Sequence, residues 1–183
     1  MPKMKVIETG LEGLLLIEPK VLEDARGYFF ESYNREVFVK NGIDDVFVQD
    51  NQSMSMKGAI RGLHFQKNPH PQAKLVRVVQ GRVLDVVVDI RTNSPTFAKV
   101  YSAELSESNK LMMYIPVGFA HGFATLEDYT VFQYKCSDLY FPETEGGIFW
   151  NDADLNIQWG VQHPIISDKD ARLPLFKDFR SPF

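Results

Sequence analysis

Short apolar runs alternate with turn residues along almost the whole of this chain, and that rhythm restricts what it can fold into. The segments "LLLIE", "GYFFESY", "VFVQDN", "GAIRGLHF", "AKLVRVV", "RVLDVVVDI", "FAKVYSAEL", "LMMYIP", "FATL" and "YTVFQYKCS" are rich in β-branched or aromatic residues, and Gly, Pro, Asn, Asp or Ser bounds each of them. Only "REVFVKNG" reads as a helix of any length, opened by an Asn34 cap and stopped at Gly42. Two further helical turns are expected in the tail after "SDKD". Many short strands spaced by turns predict an all-β sandwich or barrel with a few short helices, and a jelly roll is the natural candidate. Within it, "VVQGRVLD" reads as a tight hairpin about Gln80 and Gly81.

With 183 residues, 44% of them hydrophobic, the chain can bury one substantial core, so residues 1–183 are expected to form a single domain. The net charge of −4 is spread without a block of like charges, which argues against nucleic acid as a partner. Cys136 is the one cysteine and has nothing to pair with in the chain, as fits a reducing cytosol. No segment approaches the ~20 apolar residues of a membrane span, and Glu8 and Glu12 interrupt the apolar start. A cytoplasmic location without a membrane partner is expected.

Side chains alternate in direction along a strand. Ile60, Gly62, His64 and Gln66 are therefore expected on one face, and Lys74, Val76 and Val78 on one face of the next strand. Polar groups among such apolar neighbours suggest a barrel lumen enclosing one small-ligand cavity. Arg61 poses a difficulty, because in an unbroken strand it points away from His64. Gly62 between them marks either a bulge or a close backbone approach. Asp85 and Asp89 share a strand face and read as structural ion pairs, or, for Asp85, as a partner to a group in the lumen.

Of the four histidines, His70 and His163 precede proline in loop-like stretches and carry no expectation of chemistry. His64 in "RGLHFQ" and His121 in "PVGFAHGF" occupy strand positions in glycine-flanked runs. Each is compatible with a core histidine bonded to backbone or with a group of a site. "PVGFAH" has the P-x-G-x-x-H form of the second metal motif of cupin barrels, whose first motif would carry another histidine two residues after His64 and a glutamate in place of Lys74. Here those positions hold Gln66 and Lys74. A divalent metal needs three or four converging ligands, and an ammonium would repel it, so no metal site is expected. A neutral imidazole can instead accept a proton, and an ammonium can stabilise an oxyanion. That pairing suits proton abstraction beside a carbonyl.

Taken together, "PKVLEDARGYFFESYN", "FVQDNQSMS", "IRGLHFQ", "AKLVRVVQGRVLDVVVDIR", "SPTF", "IPVGFAHGFATL", "YKCSDLYFPETEGGIFWND" and "ISDKDA" resemble the dTDP-4-dehydrorhamnose 3,5-epimerase family of the cupin superfamily. The resemblance covers most of the chain, in the family's order. It implies a cupin-type jelly roll that inverts C3 and C5 of dTDP-4-keto-6-deoxy-D-glucose, giving dTDP-4-keto-L-rhamnose for dTDP-L-rhamnose synthesis, without a cofactor. By motif, His64 matches the general base, Asp170 the carboxylate that orients it, Lys74 the group facing the C4 oxygen and Tyr134 the general acid. His121 matches a sugar-binding histidine, and Arg26 and Arg61 match diphosphate clamps suited to forked guanidinium donors. Glu31, Gln49, Asp50 and Asn51 match positions around nucleotide and sugar, Tyr140 a ring stacked on thymine, and Glu145 and Lys169 further binding positions. The resemblance also implies a homodimer whose exchanged N-terminal strands carry Arg26 and Glu31 into the partner's site. The aromatics of "GYFFESY" agree, being more than an edge strand can leave in water.

A sugar-nucleotide 3,4-ketoisomerase shares the barrel but is a weaker match to "RGLHFQ" and "AKLVRV" with Tyr134, and two further alternatives stand beside this reading. One is inversion at a single carbon of a related dTDP-4-keto-deoxysugar, which uses the same acid, base and orienting groups. The other is a non-catalytic nucleotide-sugar-binding barrel, which would need the arginines and the stacking tyrosine but not both an acid and a base.

Overall fold

The structure, a computed structural model, describes residues 4–183; the first three residues of the expected domain lie outside them. Two antiparallel sheets face one another. One has six strands in the order β1 (Lys5–Glu8), β2 (Leu15–Glu18), β10 (Met112–Ile115), β7 (Lys74–Gln80), β12 (Thr130–Cys136) and β5 (Gln49–Ser55). The other has five, ordered β13 (Glu145–Gly147), β6 (Ile60–Gln66), β11 (Phe119–Thr125), β8 (Arg82–Asp89) and β9 (Val100–Ser106). A separate ribbon pairs β3 (Leu22–Asp24) with β4 (Gly27–Phe29). This is the expected all-β jelly roll. Among the described residues no helix is long and apolar enough to cross a membrane.

Alternation along the strands sorts the apolar residues into three layers. Val76 and Val78 of β7 meet Val83 and Val87 of β8, Met113, Phe123 and Phe132 between the sheets. Leu75 turns outward, under Phe38 and Ile43. Val86 and Val88 also turn outward, beneath Ile148, Leu155 and Trp159 of the C-terminal segment. Both faces of β8 are thus covered, which is why its sequence is nearly continuous in valine rather than alternating with polar residues. Burying each such side chain stabilises the fold by about 1.5–3 kcal/mol. The helix α1 (Arg35–Lys40) brings Phe38 to the outer layer; its Asn34 cap accepts a hydrogen bond from Val37 N at 3.3 Å, and Gly42 follows its end at φ +84°. The tail forms 3₁₀ turns at Asp170–Arg172 and Phe176–Asp178.

Three expectations are corrected. Gln80 and Gly81 do not close a hairpin, because β7 and β8 belong to different sheets and pair with β10 and β12, and with β11 and β9, respectively. Gly81, at φ +78°, carries the chain across the lumen so that the valines of the two strands meet face to face, and a Cβ there would lie 2.3 Å from Thr130 Oγ1. The strand expected over "GYFFESY" stops at Phe29, so β4 has three residues and Phe30 to Tyr33 lie beyond it; Leu22, Tyr28 and Phe29 of the ribbon are 48%, 57% and 66% exposed, on the segment for which a partner surface is expected. Ile60 does not share a face with His64; it packs outward with Leu63 and Phe65.

The last point has a local cause. Along β11, His121 pairs with His64 and Phe123 with Arg61, so Gly62 and Leu63 together stand against Gly122 alone. This bulge adds one residue and restores Arg61 and His64 to the same side of the sheet. Only glycines allow it. A Cβ on Gly62, which sits at φ +138°, would lie 2.5 Å from Gly122 Cα, and one on Gly122 would lie 2.8 Å from the Arg61 carbonyl oxygen.

Gly62→Ala should therefore cost about 3 kcal/mol or more, combining backbone strain with overpacking. Gly10→Ala, at φ +86° with nothing within 4 Å of the added carbon, should cost only about 1–2 kcal/mol. Urea midpoints compare the two, and equal losses would mean that the contact between the glycines is not tight.

Candidate active site

The lumen opens at one end into a cavity of about 530 Å³. A second lobe of about 290 Å³ adjoins it, and His64, Lys74 and Tyr134 line both. His64 comes from β6, Lys74 from β7, His121 from β11 and Tyr134 from β12, so both sheets contribute. Tyr134 and Val76 are directly opposed across β12 and β7, as are Cys136 and Lys74, which puts the phenol and the ammonium on one wall. The Lys74 Nζ lies 5.9 Å from the centre of the Tyr134 ring.

His64 is held by a residue 106 positions away. Its Nε2 is 2.7 Å from Asp170 Oδ1, while Asp170 Oδ2 accepts the Gly62 N–H at 3.2 Å. Burial acts to raise the pKa of this carboxyl. The His64 bond and charge, the Gly62 N–H and the nearby Lys169 outweigh burial and hold it below the usual carboxylate range. An ionised carboxylate only accepts hydrogen bonds, so Nε2 carries the proton and, in the neutral ring, Nδ1 is the basic nitrogen. Asp170 N donates to Ser167 Oγ at 3.1 Å, which fixes the 3₁₀ turn carrying the carboxylate.

A second histidine–carboxylate pair lies deeper. His121 Nε2 is 3.0 Å from both Asp85 oxygens, and Asp85 is fully buried. Burial raises the pKa of Asp85, against the pull of His121 and Lys74. Asp85 is thus the partner of a lumen group, whereas Asp89 is bound by Arg91, Ser94 and Thr96 as a structural ion pair. Burial draws the Lys74 pKa down, with Cys136, Glu145 and Asp85 opposing it. Burial chiefly raises that of Tyr134, so its phenol keeps its proton through neutral pH and can donate it. Among the described residues no three His, Cys, Asp or Glu side chains are arranged to hold a metal ion.

Around the rim, Arg61 lines the larger lobe, its Nε donating to Ser55 Oγ at 3.1 Å. Gln49, Asn51, Tyr140 and Glu145 line the smaller one. Tyr140, half exposed, donates from its hydroxyl to Glu145 Oε2 at 2.7 Å, and Lys169 Nζ reaches the same oxygen at 2.6 Å. Burial acts to raise the Glu145 pKa, but these two donors hold it low.

Three residues singled out in the sequence are not brought to this chain's cavity. Asp50 alternates to the other face of β5 from Gln49 and Asn51 and pairs with Lys135 at 2.9 Å. Arg26 sits on the exposed ribbon, paired with Asp24 at 2.6 Å, and Glu31 accepts from Asn34 at 3.1 Å. His163 also lines neither lobe, and His70 stacks on Phe141 beyond the smaller one. Sequence reasoning left Gln52, Ser53, Ser167 and Gln72 out of the wall and gave Gln66 no task. Their short polar side chains in loops and strand edges carry no pattern that separates them from solvated ones.

The profile of the dTDP-4-dehydrorhamnose 3,5-epimerase family matches residues 8–178. The dTDP-4-dehydrorhamnose 3,5-epimerase of Shigella flexneri is 50% identical over 176 residues, 96% of this chain and 97% of that protein. The crystal structure of the dTDP-4-dehydrorhamnose 3,5-epimerase from Elizabethkingia anophelis superimposes with a TM-score of 0.92 at 51% identity, covering 96% of this chain and 97% of that one. The dTDP-6-deoxy-D-glucose-3,5-epimerase of Legionella pneumophila, solved in complex with dTDP-4-keto-L-rhamnose, gives 0.91 at 45% identity, with coverage of 95% and 93%. With this fold, this sequence match over nearly its whole length and these histidine–carboxylate pairs, the chain belongs to the dTDP-4-dehydrorhamnose 3,5-epimerase family.

Proposed function

We propose that His64, Asp170, Lys74 and Tyr134 perform in this chain the reaction for which the family is named, inversion of C3 and C5 of dTDP-4-keto-6-deoxy-D-glucose. The product is dTDP-4-keto-L-rhamnose. The C4 carbonyl acidifies the hydrogens on both neighbouring carbons. His64 Nδ1 takes one of them as a proton, and the electron pair of the broken C–H bond passes into an enolate whose oxygen meets the Lys74 ammonium. Tyr134 then delivers a proton to the opposite face and that carbon is inverted. Asp170 keeps the imidazole in the required tautomer and stabilises its charged form. The substrate's own carbonyl is the electron sink, so the chemistry asks for no cofactor. The observation that carries this reading is the meeting of an oriented imidazole, an ammonium and a protonated phenol in one cavity.

The nucleotide belongs, on this reading, at the smaller lobe and its rim. Arg61 binds the diphosphate, Tyr140 stacks on thymine, and Glu145 and Lys169 hold Tyr140 in place as well as contacting the ligand. Gln49 and Asn51 complete the contacts there, and His121, in the larger lobe, binds the sugar. Arg26 and Glu31 act in the site of a second copy, in a homodimer that exchanges its N-terminal strands. What supports the exchange is that the ribbon leaves three large apolar side chains in water and carries Arg26 away from the cavity of its own chain.

Incubated with dTDP-4-keto-6-deoxyglucose in D2O, the protein should place deuterium at both C3 and C5, as read by proton NMR. Uptake at C3 alone would make it a single-carbon epimerase, and uptake at neither would leave a binding barrel. His64→Ala and Tyr134→Phe should each lower turnover by about 10²–10⁴-fold and change dTDP affinity little. Tyr134→Phe should still exchange deuterium while failing to invert, and unimpaired inversion by either variant removes that residue from the mechanism. Lys74→Met should slow exchange at the two carbons together; slowing at one only means that they do not share an oxyanion site. Finally, Arg26→Ala and His64→Ala chains, each inactive alone, should regain activity when mixed, because one site of the heterodimer is then intact. A demonstrated heterodimer without rescue would show that each chain builds its own site.

A further inference from the structure

Tyr140 projects from a loop, Asp138–Phe141, that has no regular secondary structure, and its ring has no aromatic neighbour in stacking range among the described residues. A half-exposed ring of this kind makes a stacking platform only if its backbone is held. The holding comes from Gln49 of β5, whose Oε1 accepts the Tyr140 N–H at 3.0 Å, from Gln66 at the end of β6, and from the segment that follows it. Gln66 Nε2 donates to the Leu139 carbonyl at 3.1 Å, and Gln66 Oε1 accepts the Phe141 N–H at 2.8 Å. Gln72 Nε2 donates to the carbonyls of Asp138 and Leu139 at 2.8 and 3.1 Å.

His70 spans the same loop. Its Nδ1 is 3.0 Å from Asp138 Oδ2, two residues before Tyr140, and its ring lies on Phe141, one residue after it, with centroids 3.6 Å apart and planes 16° from parallel. The bond from His70 and the Leu139 N–H hold the Asp138 carboxyl below the usual range, so it is an acceptor and His70 Nδ1 donates. The His70 carbonyl in turn accepts from Gln66 Nε2 at 2.7 Å, which ties the histidine to the same amide that grips the loop. One side chain thus fixes both ends of the peptide that presents Tyr140.

We propose that His70 is a positioning residue for nucleotide binding: it clasps the Asp138–Phe141 loop and so holds the Tyr140 ring where a base can stack on it. It touches neither the sugar nor the reacting carbons, and it lines neither lobe of the cavity. The inference rests on the reading that Tyr140 stacks on the nucleotide base. It makes the affinity for dTDP depend on a residue outside the site and leaves the chemical step alone.

The test is a double-mutant cycle on the full chain, with dTDP affinity measured by calorimetry and kcat and KM measured on the nucleotide sugar. His70→Ala should weaken dTDP binding about five- to twentyfold, the loss of one charge-assisted hydrogen bond and one stacking contact. KM should rise with it, while kcat stays within about twofold. In a Tyr140→Ala background the same substitution should change affinity by less than about twofold, because the ring it positions is gone. His70→Phe, which keeps the ring on Phe141 and loses only the bond to Asp138, should fall between wild type and His70→Ala, and it serves in place of the alanine variant if that chain does not fold. Wild-type affinity in the histidine variants overturns the clasp, as does an equal loss with and without Tyr140. If Tyr140→Ala alone leaves dTDP binding unchanged, the stacking reading itself fails, and the clasp with it.

Discussion

The approach of two glycine backbones, Gly62 on β6 and Gly122 on β11, governs how this cavity is furnished. Strand geometry allows only every second residue to face the lumen. A site that needs a guanidinium and an imidazole three positions apart cannot be built on a regular strand. The bulge at Gly62 resolves this by spending one extra residue, and the bulge exists only because neither strand carries a Cβ where they touch. The Gly62 N–H freed from regular pairing is not left unsatisfied. It donates to Asp170, the carboxylate that orients His64. The irregularity that aligns the imidazole also supplies one of the bonds that anchors its partner.

Asp170 links the site to the rest of the molecule. It lies in the C-terminal segment, whose Leu155, Trp159 and Ile148 cover the outside of the five-stranded sheet. Packing of that apolar cover and placement of the carboxylate are therefore one event. The same economy appears at the rim, where Lys169, next in sequence to Asp170, secures Glu145 and through it the Tyr140 hydroxyl. Most groups of the cavity and its rim come from strands, which fix them rigidly, whereas Tyr140 comes from a loop that side-chain amides hold in shape.

Much of this could be read from the sequence, for physical reasons that differ by element. The strands carrying His64, Lys74 and Tyr134 were legible because their β-branched neighbours alternate, and α1 because Asn34 and Gly42 mark its ends. The short β1 and β13 were not. "KVIE" has too few residues to show a period, and "EGG" is a strand only because the edge of β6 offers a template. The turn at Gly81 looked like a hairpin because a positive-φ glycine between two apolar runs serves equally for a turn within a sheet and a crossing between sheets. Nothing local separates those cases; the burial of both faces of β8 does. Asp170 was legible through family resemblance alone, since no short-range rule joins residues 106 positions apart. The amides that hold the Tyr140 loop were illegible, because a glutamine at a strand end or in a loop looks the same whether it grips backbone or water.

The crossing at Gly81 also bears on how the protein comes into being. Of the pairings in the two main sheets, only β1 with β2 and β8 with β9 join neighbours in sequence. The strands bearing His64, Lys74, His121 and Tyr134 are each paired to partners distant along the chain, and closing such long loops costs entropy before any contact repays it. Nascent or partly opened chains can retain local pairs and still not bring these four side chains into one cavity. Activity during refolding thus reports the completion of the long-range pairings rather than the first appearance of β-structure, and a circular dichroism signal should run ahead of it.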